Sequence, residues 1–286
     1  MSKIEEALDK IRNSEKLRVS NLGDNAEQFQ NRRLTTSKID STYQQDEPVQ
    51  LGNISDMQHS AELSSEDKAA ARVIDISMSD RQVFNAFRDF RTTISQLIGK
   101  KSSPIIMITS SGEQAGTSFV AQNLAVAIAL DETKTSLLIE CNFANPSFKH
   151  FVMDEEKPGL NDYLKESEIS VEEIIHPTGI PRMRIIPAGV QSYAMSEYFT
   201  NSRLNKLFAE IKQRYAERFI IVDAPDISTN ADARILAQVC DYVILVVPYG
   251  KATEKQVLRD ARAIGKEKLL GTVFNNQPKV PRSFRN

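Results

Sequence analysis

The 286-residue chain has no tryptophan, two cysteines and three histidines, and no apolar run approaching the thickness of a bilayer. Cys141 and Cys240 lie far apart in apolar segments. They make neither a C-x-x-C pair nor a zinc framework, and predict thiols kept reduced in a cytoplasm. The longest apolar stretches, such as 242–247, fall far short of the roughly 20 residues that span a membrane. Residues 1–12 lack the apolar segment of a secretory signal. A cytoplasmic protein is expected, with any membrane role peripheral. Excess charge is missing too: 36 Lys and Arg stand against 38 Asp and Glu, a net charge of −2. A broad cationic footprint for nucleic acid is therefore absent, and no nucleic-acid partner is expected.

What charge there is divides unevenly, with 10 basic and 15 acidic residues in 1–80 and a small basic excess in the remainder. Residues 13–78 are largely rich in Asn, Gln, Ser, Asp and Glu, with scattered single hydrophobes and no sustained period. Such a segment cannot bury enough apolar surface to offset chain entropy, and it predicts a disordered linker. Ahead of it, Ile4, Ala7, Leu8 and Ile11 follow Ser2 at helical spacing, which predicts a short amphipathic helix over 1–12 suited to docking on a partner. From residue 79 the texture changes. Val83, Phe87, Phe90, Ile94 and Leu97 trace a helical stripe that ends at Gly99. Apolar, partly β-branched runs at 105–108, 137–139, 184–186, 219–222, 243–247 and 272–274 then alternate with helix-length segments such as 119–130 and 202–215. Strands apolar on successive residues are covered on both faces, so 79–279 predicts one α/β domain with a mainly parallel sheet flanked by helices. Residues 280–286 form a short tail.

The first strand runs into Thr109-Ser110-Ser111-Gly112-Glu113-Gln114-Ala115-Gly116-Thr117-Ser118 and then directly into an apolar helix. This is the topology of a phosphate-binding loop, in which consecutive backbone amides and a helix N-terminus face phosphate oxygens. Against the pattern G-x-x-x-x-G-K-[ST], Ser111 occupies the first glycine position and Gly116 the second. Thr117 stands where lysine belongs, and Ser118 keeps the magnesium-binding hydroxyl. A polar strand-to-helix turn capped by Thr117 or Ser118 is the plain alternative.

Further motifs follow in order. Asn85-Ala86-Phe87-Arg88-Asp89-Phe90-Arg91 keeps both arginines of an E-x-x-R-x-x-R helix. Pro158-Gly159-Leu160-Asn161-Asp162-Tyr163-Leu164, Pro187-Ala188-Gly189, Asp223-Ala224-Pro225 and Ala231-Asp232-Ala233 come after the loop. In order and spacing these segments resemble the cytoplasmic domain of bacterial tyrosine kinases, a family of P-loop ATPases with deviant Walker motifs from capsule and exopolysaccharide loci. The resemblance covers about 80–275, and residues 1–12 are similar to the opening of the exosortase-linked subgroup. It implies a fold shared with partitioning ATPases and binding of ATP or ADP with magnesium. Gly112, Gly116, Thr117, Ser118 and Asn275 would lie around the nucleotide, Ser118 and Asp223 would hold the metal, and Arg88 and Arg91 would face a neighbouring subunit. It also implies an inner-membrane polysaccharide co-polymerase as partner, with self-association.

Several departures bear on chemistry. The segment Leu137-Leu138-Ile139-Glu140-Cys141-Asn142 places Glu140 and Asn142 where the family's A′ strand carries two aspartates. An amide cannot act as a general base. Asp223 keeps the Walker B acid. Loss of the loop lysine removes charge-assisted hydrogen bonds worth ~1.5–3 kcal/mol in binding. A missing transition-state donor costs roughly 10²–10³ in rate, and a missing base a further factor of about 10²–10⁴. The last tyrosine is Tyr249, so the tail lacks the family's phosphoacceptor cluster. These features predict a degenerate member with weak or absent nucleotide binding, serving polysaccharide biosynthesis and export as a binding or regulatory subunit. Two other readings stand beside it: an active autokinase or ATPase using an atypical loop, and a partitioning or positioning ATPase of similar fold.

Overall fold

The computed structural model describes residues 62–78, 81–99, 101–152, 157–190, 202–214 and 217–276. The expected helix over 1–12, most of the expected linker and the tail at 280–286 lie outside these. Seven strands form one sheet: β1 (Ile105–Ser110), β2 (Thr135–Glu140), β3 (His176–Pro177), β4 (Met183–Ile186), β5 (Arg218–Asp223), β6 (Tyr242–Pro248) and β7 (Leu269–Asn275). Their spatial order is β3-β4-β2-β5-β1-β6-β7. Every pairing is parallel except the short β3–β4 edge. β1, β2 and β5 are buried along their whole length, as expected for strands covered on both faces.

Helices α1 (Ser65–Ala70), α2 (Arg81–Ile98), α3 (Thr117–Ala129), α4 (Leu160–Lys165), α5 (Ser202–Arg214), α6 (Ala231–Val239) and α7 (Glu254–Ile264) connect and cover the strands. α3 is apolar around its circumference because it lies between the sheet and α2, and every residue from Val120 to Ala129 is buried. α2 is amphipathic and turns Phe84, Phe87, Ile94 and Ile98 inward. Its stripe is rotated slightly from the sequence expectation, leaving Leu97 59% exposed. Gly99 ends the helix at φ +66°, a left-handed conformation natural to glycine.

The expected disordered linker ends earlier than composition suggested. Residues 62–78 are folded, with Ser64 capping α1 through Asp67 N–H and Val73 and Ile74 buried in the main core. Helix α3 holds this segment through polar side chains: Asn123 Oδ1 accepts from Ile74 N–H at 2.7 Å, and Gln122 Nε2 donates to the Ala71 carbonyl at 2.9 Å. Gln122 and Asn123 satisfy the backbone of an apolar-poor segment, so a few buried contacts suffice to order it.

Candidate functional site

The carboxyl ends of β1, β2, β5, β6 and β7 converge where ligands bind in open parallel sheets. β1 delivers the loop 111–116 to the N-terminus of α3. Gly116 sits at φ +82° as the N-cap, and Gly112 at φ +128° permits the preceding bend. The amides of residues 113–119 find no protein acceptor among the described residues, so a row of donors and a positive helix end face outward together. Thr117 begins α3, half-buried, and Ser118 Oγ donates to Asp223 Oδ2 at 2.8 Å.

Asp223 ends β5 and is fully buried. Its Oδ1 has no partner among the described residues. Burial pushes its carboxyl up to about 8, the neighbouring Glu140 adds to the rise, and Ser118 opposes it. An orphaned carboxylate oxygen beside a serine hydroxyl, at the foot of a phosphate loop, is a donor set that suits magnesium. Among the described residues there is no cluster of three or more His, Cys, Asp or Glu side chains that would hold a metal without help from phosphate or water.

Glu140 pairs with Asp223 in the β2–β5 register but faces a different task. Its Oε1 accepts from the amides of Ser147 and Phe148, and Oε2 from Ala188 N–H at 3.1 Å. The side chain thereby ties the turn after β2 to the Pro187-Ala188-Gly189 turn after β4. Both carboxylate oxygens of Glu140 are committed to backbone amides. Asn142 follows at the head of the same turn, half-buried and neutral.

The turns at 158–160 and 187–189 lock together. Leu160 N–H donates to the Pro187 carbonyl and Asn161 N–H to that of Ala188. A β-carbon on Gly159 would lie 2.4 Å from the Gly189 nitrogen, and one on Gly189 2.3 Å from Asp162 Oδ2. Both glycines are thus demanded by close backbone approach, and Asp162 accepts from Gly159 N–H at 2.8 Å to fix the start of α4.

Arg88 and Arg91 do not form the shared outward pair expected of them. Arg91 Nη1 donates to the Ala127 carbonyl at 3.0 Å, one of the last acceptors of α3, where a helix terminus favours a cation. Arg88 is exposed and stacks its guanidinium 5.8 Å from the Phe84 ring. The α2–α3 packing separates their roles. Asn275, at the end of β7, joins the loop: its Nδ2 donates to the Ala115 carbonyl at 2.8 Å.

Three residues outside the sequence expectation complete the loop. Asp226 accepts from Gly112 N–H at 3.1 Å and Ser228 N–H at 2.8 Å. Asp260, buried on the inner face of α7, accepts from Ser111 Oγ at 2.5 Å and Ser228 Oγ at 2.6 Å. Gln256 Nε2 donates to the Ser111 carbonyl at 3.3 Å. The available signal was Asp260 itself, a carboxylate at an apolar-face position between Val257 and Ala261.

No profile of a known protein family matches the chain. The chain is 31% identical over 197 residues to the tyrosine-protein kinase CpsD of Streptococcus agalactiae, a match covering 68% of this chain and 81% of that one. It is 27% identical over 198 residues to the putative tyrosine-protein kinase EpsB of Ralstonia solanacearum, of which it spans only 26%. Among solved structures, the chimerical protein CapA2B2 superposes with a TM-score of 0.64 at 25% identity, over 77% of this chain and 93% of that one.

Proposed function

Because the chain belongs to the bacterial tyrosine kinase family, we propose that it serves as a catalytically degenerate member, a binding or regulatory subunit of exopolysaccharide biosynthesis and export. The observation that carries this reading is the uneven survival of the site. The outward amides of 113–119, the Ser118–Asp223 pair and the buried core around them are in place. Thr117 meanwhile stands in the lysine position. Backbone donors hold ground-state phosphate, whereas transfer needs positive charge that strengthens its grip as the phosphoryl group departs. Asn142 offers no base for a tyrosine hydroxyl.

In this reading Ser118 and Asp223 hold a magnesium ion delivered with a nucleotide, the ion supplying charge to the phosphates that the missing lysine does not. Nucleotide then acts as a ligand rather than as a substrate. Affinity is low, because the ~1.5–3 kcal/mol of a charge-assisted hydrogen bond is missing.

The partner class in this proposal is an inner-membrane polysaccharide co-polymerase acting at the cytoplasmic face. Its support is an open apolar cleft of about 600 Å³ between α2, α3 and β7, lined by Val83, Phe87, Phe90, Leu97, Phe119 and Phe274. The cleft reaches Asn275 and so adjoins the phosphate loop. Among the described residues no helix is long and apolar enough to cross a membrane, and recruitment through a partner is the corresponding proposal.

Titration calorimetry with ATP and ADP in the presence of magnesium, combined with a radiolabelled phosphate assay, tests the reading. Expected are dissociation constants weaker than those of lysine-bearing relatives, no tyrosine phosphorylation and at most trace hydrolysis. Robust hydrolysis abolished by Asp223→Ala would overturn it.

A further inference from the structure

Helix α7 carries two contrasting faces. Its inner face buries Val257, Asp260, Ala261 and Ile264. Its outer face presents Lys255, Arg259 and Arg262 at i, i+4 and i+7, all exposed, in one row along the helix. Lys251, before the N-cap Thr253, and Lys266, after Gly265, are exposed just beyond the two ends of the helix. Glu254, Glu267 and the buried Asp260 are the acids close by, so the local balance is basic in a chain whose net charge is −2. Lys251, Lys255 and Arg262 make no ion pair among the described residues. Arg259 contacts Asp260 Oδ1 at 3.1 Å while 63% of its side chain stays exposed.

We propose that this face of α7 docks on the anionic headgroups of a membrane. The inference rests on the reading that the protein works at a membrane, and supplies a direct contact independent of any protein partner. Charge complementarity selects the occupant. Three exposed cations in one row along α7, with Lys251 and Lys266 just beyond its two ends, match a flat anionic surface, and a basic cluster on an amphipathic helix is a sequence-readable mark of acidic-lipid contact. Leu258, half-buried within the row, offers an apolar contact that headgroups accept. Duplex DNA would demand a wider cationic footprint than a single helix provides in an otherwise near-neutral chain.

The contact also reaches the phosphate loop. Asp260 joins the two faces, accepting from Arg259 outside and from Ser111 and Ser228 inside. Headgroup phosphate that draws the Arg259 guanidinium outward leaves Asp260 with its serine partners alone, so membrane contact alters the charge environment at the start of the loop.

Vesicle co-sedimentation of the full chain tests this, with no co-polymerase present. Vesicles containing about one-third phosphatidylglycerol are compared with pure phosphatidylcholine. Expected is binding to the anionic vesicles alone, decreasing with salt. Because each cation near such a surface contributes roughly fivefold, Lys255→Glu/Arg262→Glu should weaken binding by on the order of 25-fold or more. Lys165→Glu/Lys206→Glu, an equal charge change on α4 and α5, should have a much smaller effect. Circular dichroism checks that both variants are folded. Absence of vesicle binding, equal losses in the two variants, or binding to a 30-base-pair duplex in preference to vesicles would each overturn the proposal. Cell fractionation with and without a co-polymerase separately tests recruitment through a partner.

Discussion

Asn275 places its side-chain nitrogen 2.2 Å from where a β-carbon on residue 116 would lie, while the same nitrogen donates to the Ala115 carbonyl at 2.8 Å. Gly116 also sits at φ +82°. The end of β7 and the phosphate loop are thus fitted to each other through a position that favours glycine.

Gly116→Ala should destabilise the domain by about 3 kcal/mol, combining left-handed strain of ~1–2 kcal/mol with steric overlap. For a domain of this size that is on the order of 10 °C in Tm. Adding Asn275→Ala should recover part of the loss, because the overlap disappears and the strain remains. Thermal denaturation of the two single variants and the double variant measures this coupling. Strictly additive losses would contradict the geometry.

Thr117→Lys should tighten binding of ATP with magnesium by about tenfold or more, since it returns a cation to the N-terminus of α3. Calorimetry on the wild type and the variant gives the ratio directly. Hydrolysis should remain slow in the variant because Asn142 still offers no base.

Asp223 makes stability depend on pH. Its folded-state pKa of about 8 lies above the ordinary value of 3.8, so folding takes up a proton between those limits. Stability without metal should therefore be fully retained near pH 4 as far as this group is concerned, and decline as pH rises toward and through 8. Asp223→Asn should flatten that decline, as followed by denaturant unfolding at several pH values. Magnesium with nucleotide should bind more tightly as pH rises, because the ion competes with the proton on this carboxyl.

Glu140→Gln should cost stability rather than catalysis. The carboxylate accepts from three amides, and an amide side chain can satisfy the Ser147, Phe148 and Ala188 donors only by turning its own NH₂ toward one of them. A loss of about 2–3 kcal/mol is expected, read by chemical denaturation, with nucleotide affinity changed little.

The α/β order was legible because each central strand is a short continuous apolar run and each helix carries its own period or cap. The loop that carries Gly116 and Ser118 was legible as a strand-to-helix turn because a strand, a glycine-bearing segment and an apolar helix follow one another without interruption. Arg91 was misread because helical spacing reports a shared face but not what covers it, and α3 supplies the carbonyl that takes it up. Residues 62–78 were misread because their order comes from Gln122 and Asn123, some fifty positions away.

By itself, then, the sequence determined the alternation of strands and helices and the place of the glycine-bearing loop between β1 and α3, since these depend on local periodicity and residue identity. Only the tertiary structure decided that Glu140 is a tie between two turns, that Asp226, Gln256 and Asp260 hold the loop, and that Gly159 and Gly189 must both lack a β-carbon. Each of those follows from which backbone amides and chain segments a parallel sheet brings within contact of one another. Separation along the chain carries no record of such distances.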